Sequence, residues 1–313
     1  MDLTILSGSA NLSLAEVIAE KLGLQLGSRV LRCFPDGELH VEIQESVRGH
    51  DVYLIQPTSP PVDTHLLELL LLADACRRAG AAHLTAVMPY FGYARQDRRA
   101  SGREPVAARL IADLLQSSGL HRVMAVDLHT PALEGFFPIP LEHLSAVSLL
   151  AEAVRPRVPP NAMIVAPDLG AVKLAERYAR LLHLPLAIVH KTRLSGEEVR
   201  VQNVVGDVRG RVPIVVDDMI STGGTIQAAI QALLAAGCGS EDLTVVASHG
   251  LFVGPAEERL HTVPIHRLLV TDSVARPARE PFALQVVSLG SLLAEAITRL
   301  HNNQSLSDLL VHG

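Results

Sequence analysis

VVDDMISTGGT, residues 215–225, holds an apolar strand, two adjacent acids and a hydroxyl- and glycine-rich turn within eleven positions. Ile214-Val215-Val216 reads as a buried strand, and a helix is expected to begin near Gly224. In open α/β sheets, ligands bind beyond the carboxyl ends of the strands. Glycines let the backbone curl so that its N–H groups converge on an anion, and a helix N-terminus adds a favourable dipole. The hydroxyls of Ser221, Thr222 and Thr225 add donors. A lone Ser-Thr-Gly-Gly would more often be a plain helix cap. The acid pair on the strand end turns the reading toward a grip on a phosphorylated sugar. The turn would take the phosphate, and Asp217 and Asp218 would accept hydrogen bonds from vicinal hydroxyls.

Outward from this stretch, strand-like runs alternate with helical patterns. LTILSGS, VYLIQ, LTAVMPY, RVMAVDLH, MIVAPD, LAIVHK, PIVVDD, LTVVASHG, HRLLVT and LQVVS read as strands. Between them lie helical stretches such as THLLELLLLADACRRAG and LGAVKLAERYARLL. Continuous apolar strands alternating with helices imply parallel sheets covered on both faces. The 313 residues suggest two domains, and the proline-rich stretch 155–160 is a plausible boundary. An internal echo supports a duplicated unit. YLIQPTSPP leading to LTAVM matches IVVDDMISTGG leading to LTVVAS in its order of strand, loop, helix and Ala-Gly. The first copy carries Gln56-Pro57-Thr58-Ser59 where the second has its acids, so only the second carries phosphate chemistry.

Bulk composition removes several classes of function. A formal net charge of −6 disfavours generic binding to nucleic acid or to an anionic membrane. Cys33, Cys76 and Cys238 are few, odd in number and without metal-ligand spacing, as expected of free thiols in a reducing compartment. The opening MDLTILSGS has an acid where a signal peptide needs bases, and no run approaches the ~20 apolar residues of a membrane span. A cytoplasmic protein is expected.

Other strand ends also carry chemistry. MPYFGYARQDRRASGREP places Arg95, Arg98, Arg99 and Arg103 in one loop, and guanidinium groups suit polyphosphate oxygens. Phe34-Pro35-Asp36-Gly37-Glu38 reads as a turn before the strand ELHVEI. His129 in VDLH and Asp168 in APDLG sit at two further strand ends, where structural or capping roles compete with Mg²⁺ binding. His190-Lys191-Thr192-Arg193 precedes the polar LSGEEVRVQN and reads either as a basic hairpin or as a flap closing over a polyphosphate.

Taken together, FPDGE, MPYFGYARQDR, VDLH, GFF, APD, VHKTR, VGDV, VVDDMISTGGT, SHGLFVGPA and NNQSLSDLL resemble the ribose-phosphate pyrophosphokinase family along essentially the whole chain. The resemblance implies an α/β fold of two similar phosphoribosyltransferase-like domains, each a mainly parallel sheet flanked by helices. Residues 1–150 would form the ATP side with the oligomer contacts. Residues 151–313 would carry the ribose 5-phosphate loop and the catalytic flap, the last residues packing back on the first domain. The implied reaction moves the diphosphoryl group of ATP to the 1-hydroxyl of ribose 5-phosphate, with Mg²⁺ required. By position, Phe34, Asp36, Gly37 and Glu38 match the adenine-side loop that reaches a neighbouring subunit, and Arg95 and Gln96 match the ATP-binding pair. His129 and Asp168 match metal-associated positions. Lys191 and Arg193 match the catalytic flap, Arg193 also on the ribose 5-phosphate side. Asp217 and Asp218 match the ribose-hydroxyl acids, and Ser221, Thr222, Gly223, Gly224 and Thr225 the 5-phosphate loop. A homo-oligomer is implied, a hexamer commonly and a dimer or tetramer in some branches, with no nucleic-acid or membrane partner.

Four positions depart from the commonest family pattern: Ser221 in place of Asp, Ala171 in place of Gly, Ala100 where some members have an acid, and Leu310 in place of Phe. They bear on phosphate activation, nucleotide inhibition and donor preference. Two rivals share parts of the pattern: a phosphoribosyltransferase, which would consume the product, and a non-catalytic regulatory homologue. The arginine-rich loop and the Lys191/Arg193 flap argue against the first, and the intact flap and metal positions against the second.

Overall fold

The apolar strands are buried on both faces: Asp51–Ile55 and Ala162–Ala166 are buried at every position. The structure is a computed structural model that describes residues 1–193, 199–275 and 284–311, with backbone alone at 191–193 and 199–202. In chain order the first half is β1 (Leu3–Ser7), α1 (Leu12–Lys21), β2 (Arg29–Cys33), β3 (Leu39–Ile43), β4 (Asp51–Ile55) and α2 (Val62–Arg78). It continues with β5 (His83–Met88), α3 (Ala107–Ser117), β6 (Arg122–Val126), β7 (Leu141–Leu144) and α4 (Val147–Val154). The second half is β8 (Ala162–Ala166), α5 (Val172–Leu182), β9 (Leu186–Arg193), β10 (Val199–Val205), β11 (Val212–Ile220) and α6 (Gly224–Ala235). It ends with β12 (Thr244–Gly250), α7 (Ala256–His261), β13 (Arg267–Thr271), β14 (Leu284–Val287) and α8 (Gly290–His301).

The two halves repeat one topology. The first sheet runs β1-β4-β5-β6-β7, all parallel, and the second repeats it as β8-β11-β12-β13-β14 with the antiparallel hairpin β9–β10 added beside β8. The hairpin β2–β3 holds the equivalent place in the first half but forms a separate two-stranded sheet. The echo seen in the sequence is thus the pair of units β4-α2-β5 and β11-α6-β12, each joining adjacent parallel strands.

Contacts divide the chain into two units. One holds Met1–Ser145 and the segment from Ser288, the other Ala146–Asp272 with β14. Each unit therefore takes its closing helix from the other half of the sequence. α8 packs on α1 in the first unit, and α4 packs on α5 in the second. The stretch Arg155–Arg157 is a short 3-10 turn inside the second unit, directly after α4. In the first unit the C-terminal segment also covers an edge: Leu310 bridges Leu144, and the Val311 amide donates to the His143 carbonyl at 2.9 Å.

Strand alternation gives each sheet two apolar faces. In the first unit Val52 and Leu54 join Leu69, Leu72 and Cys76 of α2 and Ile111 and Leu115 of α3 in one core. In the second, Val165, Val215 and Val245 meet Ile226, Ile230 and Leu233 of α6. Helix ends follow local chemistry. The Asn11 side chain accepts the Leu14 amide at the start of α1, and Gly80, at φ 87°, ends α2.

The loop after β4 is filled by the protein itself. Gln56 is fully buried, its Oε1 accepting the Ala10 amide and its Nε2 donating to Glu68 and to the His65 carbonyl. A Cβ on Gly8 would collide with the Gln56 amide. Gly8→Ala is expected to cost about 1–3 kcal/mol, the range for overpacking a filled site. Gly102→Ala, with nothing within 4 Å of its Cβ, should cost far less. Urea unfolding followed by circular dichroism compares the two, and equal midpoints would refute the packing argument.

Candidate active site

β8 lies between β9 and β11 and is outrun by both. Its last partners are Ile188 of β9 and Val215 of β11, whereas those strands continue to Arg193 and Ile220. The carboxyl edge there is a crevice of the kind in which open α/β sheets hold ligands. Asp168 follows β8 at this edge. Its Oδ1 accepts the amides of Gly170 at 3.0 Å and Ala171 at 3.3 Å, which seats the turn into α5. Asp168 therefore holds the turn that leads into α5 as well as being a candidate ligand, and Ala171 serves this turn through its amide.

Asp217 and Asp218 are on β11 itself, half-buried, and Asp217 Oδ1 accepts the Asp218 amide at 3.0 Å. Removal from water, then the charges of Asp218 and Asp168, push the Asp217 carboxyl well above its ordinary range. Asp218 and Asp168, both singled out in the sequence, are thus brought within electrostatic range of Asp217. Ser221, Thr222 and Gly223 link β11 to α6, which starts at Gly224. Gly223 has φ 73°, a left-handed conformation that suits glycine, and no side chain caps the helix. The amides of Thr222, Gly223 and Gly224 donate to no carbonyl among the described residues. A turn with several amides left over at a helix N-terminus can receive an anion.

The carbonyls of this turn are all engaged. Ile220 accepts from the amides of Leu251 and Phe252, Ser221 from Val253 at 3.0 Å, and Thr222 from the Arg259 guanidinium at 3.2 Å. Arg259 was not among the residues singled out in the sequence. Lys191 and Arg193 fall on β9, Lys191 in register with Val201 of β10, and their side chains lie outside the described residues.

The remaining predicted site residues belong to the first unit. Arg95 and Gln96 are exposed. Their loop is pinned by the Gly92 amide on Thr58 Oγ1 at 2.7 Å, and a Cβ at Gly92 would stand 2.6 Å from the Thr58 carbonyl. Ala100 donates its amide to Glu104, so an acid does lie beside that position, four residues later. Phe34 to Glu38 form a tight, exposed turn between β2 and β3. Phe34 and Glu38 are joined at 2.8 Å, Gly37 has φ 93°, and Asp36 accepts the Glu38 amide. Phe34 is 42% exposed, with its ring edge-on to His40 and the Arg32 guanidinium 5.7 Å from its centroid.

His129 is exposed after β6, while Asp168 lies in the second unit. The approach to His129 is tightly held. Asp127 has φ 38°, a strained value for aspartate, and its carboxylate accepts Ser145 Oγ at 3.0 Å. The buried His143 accepts the Leu128 amide at 2.8 Å through Nε2, and its Nδ1 lies 2.9 Å from Glu134. Among the described residues no three His, Cys, Asp or Glu side chains are grouped to hold a metal. No helix among them is long and apolar enough to cross a membrane.

Comparison with known proteins agrees with this geometry. The family model of the N-terminal domain of ribose phosphate pyrophosphokinase matches residues 3–119, and that of the phosphoribosyl synthetase-associated domain matches residues 193–311. A ribose-phosphate pyrophosphokinase of Gloeobacter violaceus is 45% identical, over 98% of this chain and 92% of its own. That of Staphylococcus haemolyticus is 42% identical over 98% and 96%. The crystal structure of phosphoribosylpyrophosphate synthetase from Mycobacterium smegmatis superposes with a TM-score of 0.90 at 38% identity, covering 97% of this chain and all of that one. Likeness of this extent, over both repeated α/β units, places the chain in the ribose-phosphate pyrophosphokinase family.

Proposed function

We propose that the protein transfers the β,γ-diphosphoryl group of ATP to the 1-hydroxyl of ribose 5-phosphate, giving phosphoribosyl pyrophosphate and AMP. The observation that carries this reading is the β11–α6 connection, where two acids precede a turn in which the amides of Thr222, Gly223 and Gly224 donate to no carbonyl among the described residues. The 5-phosphate sits on Ser221, Thr222, Gly223, Gly224 and Thr225, and the ribose hydroxyls donate to Asp217 and Asp218. Arg95 and Gln96 bind the polyphosphate side of ATP. Phe34, Asp36, Gly37 and Glu38 of a neighbouring copy frame the adenine. A homo-oligomer follows from that last assignment, a hexamer with dimer and tetramer as the other outcomes of a mass measurement. The exposed Leu110 and Leu114, one turn apart on α3, offer apolar surface for such contacts. The unpaired thiols of Cys33, Cys76 and Cys238 suit the cytoplasm.

In the reaction the 1-hydroxyl oxygen bonds to the β-phosphorus as the bond to the α–β bridging oxygen breaks. AMP departs with that oxygen, and the hydroxyl proton is released. No protein nucleophile is needed, because the sugar is the attacker. Lys191 and Arg193, on the β9 side of the crevice, stabilise the charge that grows on the oxygens. A closed flap would also keep water from ATP.

His129, in the first unit, and Asp168, in the second, are each proposed as a contact for Mg²⁺, which when bound would neutralise polyphosphate charge. The donor types suit that ion. Mg²⁺ is held by one or two carboxylates together with waters and substrate phosphates, so it needs no cage of protein ligands. The mutual repulsion of Asp168 and Asp217 is the kind of strain a cation relieves.

AMP release from ATP and ribose 5-phosphate, with no base added, tests the reaction and separates a synthetase from a transferase and from a regulatory homologue. Lys191→Ala is expected to lower the turnover number by at least ~10²-fold, the scale for losing one transition-state donor. Near-normal turnover would remove the lysine from the mechanism.

Asp217 generates a pH prediction for the ligand-free protein. Its folded carboxyl titrates above the unfolded range, so the folded state holds that proton more tightly. Stability therefore falls as pH rises from about 4 through the raised value. Asp217→Asn should raise the melting temperature at neutral pH, with the gain shrinking toward acid pH, while turnover drops. A gain of the same size at every pH would count against this account.

A further inference from the structure

We infer that Arg259 is a positioning residue for ribose 5-phosphate: its hydrogen bond to the Thr222 carbonyl sets the direction of the amide that follows. The inference rests on the reading of residues 221–225 as the 5-phosphate loop. A trans peptide is planar, with its C=O and N–H pointing opposite ways. Whatever holds the carbonyl of one residue thereby aims the amide of the next. Here the carbonyls of Ile220, Ser221 and Thr222 are all drawn toward one segment, residues 251–259. The amides of Ser221, Thr222 and Gly223 are accordingly turned away from that segment. Three successive amides turned in this way line an anion-binding concavity.

The three anchors differ in kind. Ile220 and Ser221 are held by backbone amides of residues 251–253, which any side chain there would supply. Thr222 is held by a side chain. Its peptide leads into Gly223, whose left-handed φ gives this link conformational freedom an ordinary residue lacks. Without the anchor the Thr222–Gly223 peptide can rotate and present its carbonyl, rather than its N–H, to the phosphate. Packing keeps the arginine in place. A Cβ on Gly224 would stand 3.2 Å from Arg259 Nη1, and one on Gly223 would stand 3.2 Å from Leu260 Cγ and 3.3 Å from the Ala256 carbonyl. Both glycines therefore let α7 approach the loop closely. Gln227 of α6 donates to Thr262 Oγ1 at 2.8 Å just beyond α7, a second tie between the two helices.

The test measures ribose 5-phosphate and ATP dissociation constants by calorimetry on the full-length protein, beside melting temperature and steady-state kinetics. The variants are Arg259→Met, Arg259→Lys and Gly223→Ala. Arg259→Met keeps the stem and loses the donors. It is expected to weaken ribose 5-phosphate binding by about 10–100-fold, the worth of a hydrogen bond to a charged group. ATP affinity and melting temperature should stay at wild-type values, and KM for ribose 5-phosphate should rise by a larger factor than kcat falls. Arg259→Lys, which retains one charged donor, should recover much of the loss. Wild-type ribose 5-phosphate affinity in Arg259→Met, with Gly223→Ala impaired, overturns the inference and leaves the phosphate loop standing. Wild-type affinity in both overturns the loop reading as well. Parallel loss of ATP binding and melting temperature in Arg259→Met, with no rescue by lysine, reduces Arg259 to a packing role and also overturns the inference. So does a crystal structure of ligand-free Arg259→Met in which the Thr222 carbonyl has not turned.

Discussion

β8 stops pairing with β11 at Val215, and β11 runs on to Ile220. That difference in length creates the site. Inside the sheet, strands packed on both faces leave no room for a charge, so Val215 and Val216 are buried and apolar. Past the last β8 partner the neighbour is gone on one side, while β12 still pairs with Asp217, Met219 and Ile220. The backbone is therefore rigid where Asp217 and Asp218 appear, yet one flank is open. Rigidity has an electrostatic consequence. Asp217 is held out of water, it cannot move away from Asp218, and Asp168 just past the end of the shorter strand adds its charge, so the carboxyl of Asp217 is pushed up.

The first half of the molecule shows what the same topology does without those residues. The register pairs Ile5 with Tyr53 as the second half pairs Val165 with Val215, so Gln56, three residues past Tyr53, falls where Asp218 does. Gln56 turns inward and satisfies Ala10, Glu68 and His65. Gly8, in the place of Asp168, makes space for it. Pro57, Pro60 and Pro61 carry no N–H, and the α2 N-terminus has no side-chain cap. Every element that would make an anion site is present as topology and missing as chemistry. The duplicated loop has become a polar plug that steadies Thr58, and through Thr58 the Gly92 amide and the arginine-bearing loop behind it.

The features legible in the sequence were those written in neighbouring residues. Alternation and apolar runs gave the β4-α2-β5 and β11-α6-β12 units, and Gly223 marked the turn. The features that escaped depend on partners distant in the chain. Arg259 acts on Thr222 from 37 positions away, and His143 on the Leu128 amide from 15. Neither stands in a motif whose spacing implies its partner. The short strands Arg29–Cys33 and Leu141–Leu144 alternate too briefly to stand out from loops. The ownership of α4 is not legible for a related reason. It is an ordinary amphipathic helix, and the sequence of an apolar stripe does not say which sheet it will cover.

Distance in the chain also explains why Ser221 can depart from the commonest family residue without dismantling the loop. What the fold asks of position 221 is its backbone: a carbonyl for Val253 and an amide aimed by the anchored carbonyl of Ile220. Neither depends on the side chain. An aspartate there would add a third carboxylate three positions beyond Asp218, just past the strand that carries Asp217 and Asp218. Serine adds a neutral hydroxyl donor beside the proposed phosphate position instead. The demand that cannot be met by backbone alone falls one residue later, at the Thr222 carbonyl, and a side chain from α7 supplies it. The loop's carbonyls are thus held by the segment 251–259, and since Arg259 holds its carbonyl through a side chain while residues 251–253 use backbone amides, a substitution at Arg259 should matter more to the proposed phosphate site than one at 251–253.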